Sequence, residues 1–177
     1  MAVTKRGWQV ILALALILIV VVAGQLIRAS SAKQPAKRAA TGATIAMGAM
    51  KWHVMGTSKV RELGNPDAPI TAKGWFIVVD LSLTDATKKK VKVDPSAVVV
   101  VDKEKHVYPA DKTATDSQAR MYNGIQIMSL FNANLAIQQP ARVAAVFPIG
   151  EAASGLKLKV IGAKVGVAQD LLIDIGF

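Results

Sequence analysis

The chain has no cysteine. That excludes disulfides, thiolate metal sites, a cysteine nucleophile and a lipid-modified N-terminal cysteine, so a folded domain here must be held by its core alone. Histidine is almost as scarce. His53 and His106 are the only two, and each reads as a strand residue without a carboxylate partner at metal-ligand spacing. Ordinary strand histidines are the simpler reading than a metal site or a general base. No Gly-x-Ser-x-Gly elbow and no phosphate-binding loop occurs. No catalytic residue, metal ligand or cofactor site is predicted, and the chain reads as a protein that is not an enzyme.

Acidic side chains are missing from residues 1–40, where Lys5, Arg6, Arg28, Lys33, Lys37 and Arg38 stand unopposed. The rest carries 16 basic and 12 acidic residues, so the formal charge of +10 falls to +4 outside the N-terminal stretch. Most of the excess is membrane-flanking charge and not the footprint of a nucleic-acid-binding domain. Charge is also missing from Gly7 to Ile27, 21 residues of mainly Ile, Leu, Val and Ala. A helix of about 20 apolar residues crosses a bilayer. The alternative is a signal peptide cleaved near Ala32, after the small residues Ala29-Ser30-Ser31-Ala32, which would leave a secreted protein. A signal's apolar region usually runs about 7–15 residues, and the longer run here favours an uncleaved anchor.

The expected organisation is then a cytoplasmic arm over 1–6, a transmembrane anchor over 7–27, a basic flexible linker over 28–43 and a domain over 44–177. The expected location is the cell membrane, crossed once. The flanking charges, Lys5 and Arg6 before the run and Arg28, Lys33, Lys37 and Arg38 after it, leave the orientation open, and the short N-terminal arm favours the C-terminal domain outside.

Within that domain the dominant pattern is Lys73 to Asp85, KGWFIVVDLSLTD. Trp75, Ile77, Val79, Leu81 and Leu83 fall on one face, while Phe76, Val78, Asp80, Ser82 and Thr84 fall on the other. That is the period of a strand with one wholly apolar face. Further strands are expected around Met50–Met55, at Arg142–Phe147 (ended by Pro148), over Leu156–Val160 and near Asp170–Ile175. Val98–Val101 is expected to pair with His106–Tyr108 across Asp102–Lys105. About seven short strands with Gly and Pro between them describe an antiparallel sandwich. Lys112 to Gln139 carries mixed periodicity and reads as a long loop with one strand or a turn of helix.

The order GWFIVVDLSLTD, VDPSAVVVVDKEKHVYPAD, RVAAVFPIGEAASGLKLKV behind an apolar N-terminus resembles a bacterial family of extracytoplasmic domains of unknown function. That family has an immunoglobulin-like β-sandwich and is similar to a secreted mycobacterial immunoprotective antigen. Val79-Asp80, Asp102 with Tyr108, and Val146-Phe147-Pro148 stand at the family's positions. Lys103-Glu104-Lys105 replaces a turn where glycine is usual. The resemblance implies an all-β fold and offers no catalytic residue.

What remains are surfaces. Lys88, Lys89, Lys90 and Lys92 form the one concentrated charge run of the domain, a solvated turn or else an anion-contacting loop for envelope polymer or lipid. No aromatic interleaves with these lysines, which argues against nucleic acid. Asp80, Asp94, Asp102 and Asp111 match no calcium-loop spacing and read as turn chemistry. Trp52, Trp75 and Phe76 are core candidates, with Phe76 either covered by a second sheet or exposed in a binding surface. The expected function is a membrane-anchored binding module for a protein or envelope component. The alternative is electrostatic attachment to anionic polymer or lipid, and the loops expected to do the work are Thr87–Lys92 and Lys112–Gln139.

Overall fold

The alternation at residues 73–85 is part of a longer strand, Ile70–Asp85, whose odd residues from Ile77 to Leu83 are fully buried. The structure, a computed structural model, describes residues 36–85, 87, 90–122 and 126–177. In chain order the strands are β1 (Lys37–Ala40), β2 (Thr44–Met47), β3 (Met50–Leu63), β4 (Ile70–Asp85), β5 (Val91–Lys92), β6 (Val98–Val101), β7 (Val107–Pro109), β8 (Ile127–Ser129), β9 (Asn134–Leu135), β10 (Pro140–Ile149), β11 (Lys157–Val160) and β12 (Leu171–Asp174). Among the described residues the α-helix is α1 (Lys112–Met121), between β7 and β8. The expected anchor, Gly7 to Ile27, lies outside the described residues. Among the described residues no helix is long and apolar enough to cross a membrane.

Two five-stranded sheets form the body, ordered β1-β12-β11-β6-β7 and β2-β3-β4-β10-β8, with β5 and β9 as a separate pair. Their facing sides share one core. Trp52, Ile77, Leu81, Leu83 and Phe147 come from the second sheet, and Val98, Val100, Leu158, Val160, Leu171 and Ile173 from the first. Period-two alternation produces this arrangement, since every second residue of β10, of β11 and of β4 from Trp75 to Leu83 is apolar and points inward. Most pairs are antiparallel, but β1 with β12 and β10 with β8 are parallel.

Three expectations are corrected. First, residues 28–43 are not all linker: Lys37–Ala40 is β1, in register with Leu171–Asp174. An edge strand pairs through its backbone, so a composition too polar for a core did not prevent it. Second, β10 does not stop at Phe147 but runs through Pro148 to Ile149. The Val146 amide and carbonyl both point away from β4, toward Thr115 Oγ1 (3.0 Å) and the Asp111 amide (2.8 Å). Two residues on, Pro148 faces the same way, so its missing N–H costs no bond to β4. Third, most of Lys112–Gln139 is built structure. Asp111 caps α1 by accepting from the Ala114 amide at 2.7 Å, followed by β8, a 3₁₀ turn at Leu130–Asn132, and β9.

The helix answers the question posed by Phe76. Neither a second sheet nor solvent meets the outer face of β4 there, because Phe76, Val78 and Val146 pack with Leu63 and Ala114 in a small cluster. The sheets have two distinguishable ends. Lys37, Leu171, Val160 and Val98 align across the first sheet at one end, and Met47, Met50 and Asp85 align across the second. A Cβ on Gly48 would lie 2.8 Å from the Val165 carbonyl oxygen, which brings these two ends together. We call this end the root, because the chain joins β1 there. The β3–β4, β6–β7 and β10–β11 connections lie at the far end.

Candidate binding surfaces

At the far end, Asp102 closes β6 and organises the turn to β7. Its side chain is almost fully buried. Oδ1 accepts the amides of Glu104 and His106, both at 2.9 Å. Oδ2 accepts the His106 ring Nδ1–H at 2.8 Å and the Tyr108 hydroxyl at 2.9 Å. Burial opposes ionisation of Asp102, but the bonds from the His106 ring, the Tyr108 hydroxyl and the His106 amide outweigh it and hold its pKa at about 2. The same bond and the charge behind it, aided by Glu104, push His106 above its ordinary value. Burial first, then the neighbouring carboxylate, raises Tyr108. Lys105 takes φ 72°, the left-handed conformation for which a glycine is usual.

Asp102, Glu104 and His106 bring three potential metal-ligand atoms within 4.8 Å of one another. This corrects the reading of His106 as a strand residue without carboxylate neighbours, since it sits in the turn with carboxylates two and four positions before it. Each Asp102 oxygen already accepts two hydrogen bonds, so a cation there would have to displace the imidazole or the phenol. The arrangement as it stands is a turn brace. His53 is in β3, with Nδ1 3.2 Å from Thr44 Oγ1 on its register partner.

The other aspartates considered for a cation serve separate local tasks. Asp94 accepts from the Ser96 amide (2.9 Å) and hydroxyl (2.6 Å), and Asp111 caps α1. Asp80 pairs with Arg142 at 3.2 Å on the outer face, beside a recess of about 210 Å³ lined by Thr57, Ser58 and Tyr122. Trp75 is not simply core. Its ring carries the Arg61 guanidinium at 4.2 Å and the Lys59 ammonium at 4.9 Å, and Arg61 also meets Glu151 at 2.7 Å. Two open, shallow grooves of about 520 and 430 Å³ lie on the outer face of the second sheet. The first is lined by Ile70, Phe76, Asp111 and Pro148, the second by Val60, Leu63, Gln118 and the exposed Met121.

At the root, buried Asp85 accepts from the Thr87 amide (2.7 Å) and hydroxyl (2.6 Å), fixing the start of the basic loop. Lys90 and Lys92 are exposed, and Lys92 is held in β5 opposite Asn134. Lys88 and Lys89 lie outside the described residues. The carboxylates at this end are engaged. Asp94 meets Lys164 at 3.7 Å, and Asp170 meets Lys159 at 3.1 Å and the Gly162 amide at 3.0 Å. Lys37, Lys51, Lys90 and Lys92 are exposed around them. Sequence reasoning found the lysine run, and Lys37 as membrane-flanking charge, but not Lys51, and only the topology brings all of them to the same end.

No known protein family and no curated protein matches this sequence. Solved structures do share the fold. The yjhA protein from Bacillus subtilis superposes with a TM-score of 0.55 at 11% identity, covering 77% of this chain and 98% of its own. A conserved hypothetical protein from Bacillus anthracis gives 0.55 at 16%, over 71% and 90%. An uncharacterised β-sandwich protein from Clostridium difficile 630 gives 0.51 at 9%, over 79% and 94%. The chain is therefore similar in fold to uncharacterised bacterial β-sandwich proteins.

Proposed function

We propose that this chain is a membrane-anchored, extracytoplasmic binding module of immunoglobulin-like design that carries out no reaction and presents its far end to a protein or envelope component. The resemblance to the mycobacterial antigen belongs to this reading. The observation that carries it is the use made of buried carboxylates. Asp102 is spent on holding the far-end turn in one shape, and Asp85 and Asp170 on holding connections at the root. Recognition on sandwich folds lives in such end loops, and a preorganised loop loses less entropy on binding. The apolar run Gly7 to Ile27 supplies the tether.

The test uses the full chain in its native membrane. Because the chain has no cysteine, Ala68→Cys at the far end reports topology alone. An impermeant maleimide should label it in intact cells, whereas labelling only after lysis would reverse the orientation. Release of the chain into the medium would favour cleavage near Ala32. Crosslinking from Ala68→Cys should then capture a discrete partner that survives high salt and is lost with Glu104→Ala or Lys103→Ala. A far end that captures nothing under these conditions would leave the binding reading without its surface.

A further inference from the structure

Charge divides the two ends of the sandwich unequally. At the far end cations and carboxylates interleave, as in Lys103-Glu104-Lys105 and the Arg61–Glu151 pair. At the root Asp85 and Asp170 are buried and bonded internally and the exposed Asp94 is offset by Lys164, while Lys37, Lys51, Lys90 and Lys92 project into solvent. Lys37 opens β1, so the chain leaves the fold at this same end. The ten residues from Arg28 to Lys37 reach at most about 35 Å when extended, and a coil of that length averages roughly half as much.

We propose that the root of the sandwich docks on anionic phospholipid headgroups through Lys37, Lys51, Lys90 and Lys92, standing the domain on the bilayer with its far end outward. This rests on the anchor proposed above. Three observations converge on the lipid surface as the occupant: the sign of the charge, its confinement to one end, and the point where the chain joins the fold. The lysines come from β1, from one residue inside the β2–β3 hairpin tip, and from the β4–β5 connection and β5. Three separated stretches of sequence thus build one basic surface. A tethered domain stays within reach of the headgroups, so weak contacts suffice. Each lysine held within a Debye length of about 8 Å shifts the docked population about fivefold.

The experiment reconstitutes the full chain into vesicles of phosphatidylcholine alone or mixed with phosphatidylglycerol. Single cysteines at Ala163 in the root and Ala68 at the far end, both exposed, carry a fluorophore, and nitroxide-labelled headgroup lipid quenches it. The expected result is strong quenching at Ala163→Cys in phosphatidylglycerol vesicles, weak quenching in phosphatidylcholine, and little at Ala68→Cys in either. High salt should relieve it. Lys90→Glu with Lys92→Glu should reduce docking more than tenfold, whereas Lys73→Glu with Lys105→Glu, the same charge change at the far end, should leave it in place.

Flotation separates the two ideas. A chain that fails to float with phosphatidylcholine vesicles overturns the anchor and this proposal with it. A chain that floats but is quenched equally in both lipids, or unaffected by Lys90→Glu with Lys92→Glu, overturns the docking alone. Loss of quenching on adding soluble polyglycerol phosphate at matched ionic strength would give the lysines to a wall polymer and also overturn it.

Discussion

Over Phe76–Val79, β4 is buried on both faces, but by different covers. Ile77, Val79, Leu81 and Leu83 meet the opposite sheet across the main core, whose strands pair side by side in two five-stranded sheets. Phe76 and Val78 meet the ten-residue helix α1, which is pinned by few groups: the Asp111 cap, the Thr115 hydroxyl on Val146, and Asp116 bonded to Ser129. A helix of that length is marginal by itself and owes its stability to packing. The inner layer should therefore open only with the whole fold, and the outer layer by itself, at lower free energy.

The sharpest way to break the comparison is to cut a large side chain from each layer. Phe147 is fully buried between the sheets, and Phe147→Ala should cost about 3–5 kcal/mol in equilibrium denaturant unfolding. Phe76, beneath the helix, should cost less when changed to Ala because α1 can settle into the space. Its stronger signature should be hydrogen exchange, with the amides of α1 exchanging faster while those of β4 keep their protection. Equal global losses and unchanged α1 exchange would mean the helix is as integral as the second sheet.

A third substitution touches only the outer layer. Asp111→Ala removes the acceptor for the Ala114 amide and should destabilise by about 1 kcal/mol. The loss should appear as fraying of the first turn of α1, read by the exchange of Thr113, Ala114 and Thr115. An effect spread evenly over both sheets would show that the cap holds β10 more than it holds the helix.

These layers were not equally legible. The inner one was written in patterns that need no knowledge of neighbours: β4, β11 and β12 follow from apolar residues at every second position, and the β6–β7 hairpin from the run Val98–Val101 and the four-residue polar loop after it. The outer one was not, since α1 has a polar sequence, KTATDSQARM, whose only buried residues are the small Ala114 and Thr115. The signal available was Asp111 at the N-cap position. β1 was hidden for a similar reason, because Lys37-Arg38-Ala39-Ala40 pairs through its backbone at an edge. Pro148 misled because a proline ends a strand only where its N–H would have been used. At the surfaces, the lysine run could be read directly, but the Asp102–His106–Tyr108 brace required knowing that Asp102 turns inward at the end of β6.

That brace gives the smallest prediction, and it concerns the rim of the inner layer, where Tyr108 packs partly against the main core. His106 is raised above 6.5 in the folded state by its bond to Asp102, so the stability it contributes is fully present below 6.5 and is lost as pH rises through the folded value. Asp102 is lowered from 3.8 to about 2, so its contribution is present above 3.8 and is lost as pH falls toward about 2. The bond between the His106 ring and Asp102 is common to both shifts and counts once, while the Tyr108 hydroxyl and the His106 amide act on Asp102 alone. Melting temperature should therefore form a plateau between the carboxylate and imidazole ranges, with a shallow decline on the alkaline side. His106→Gln should remove that decline and keep most of the acid limb, because the Tyr108 hydroxyl and the backbone amides still favour the ionised carboxylate. An alkaline decline that survives His106→Gln would place the titrating group elsewhere, and the turn would then be held by Asp102 and the backbone alone.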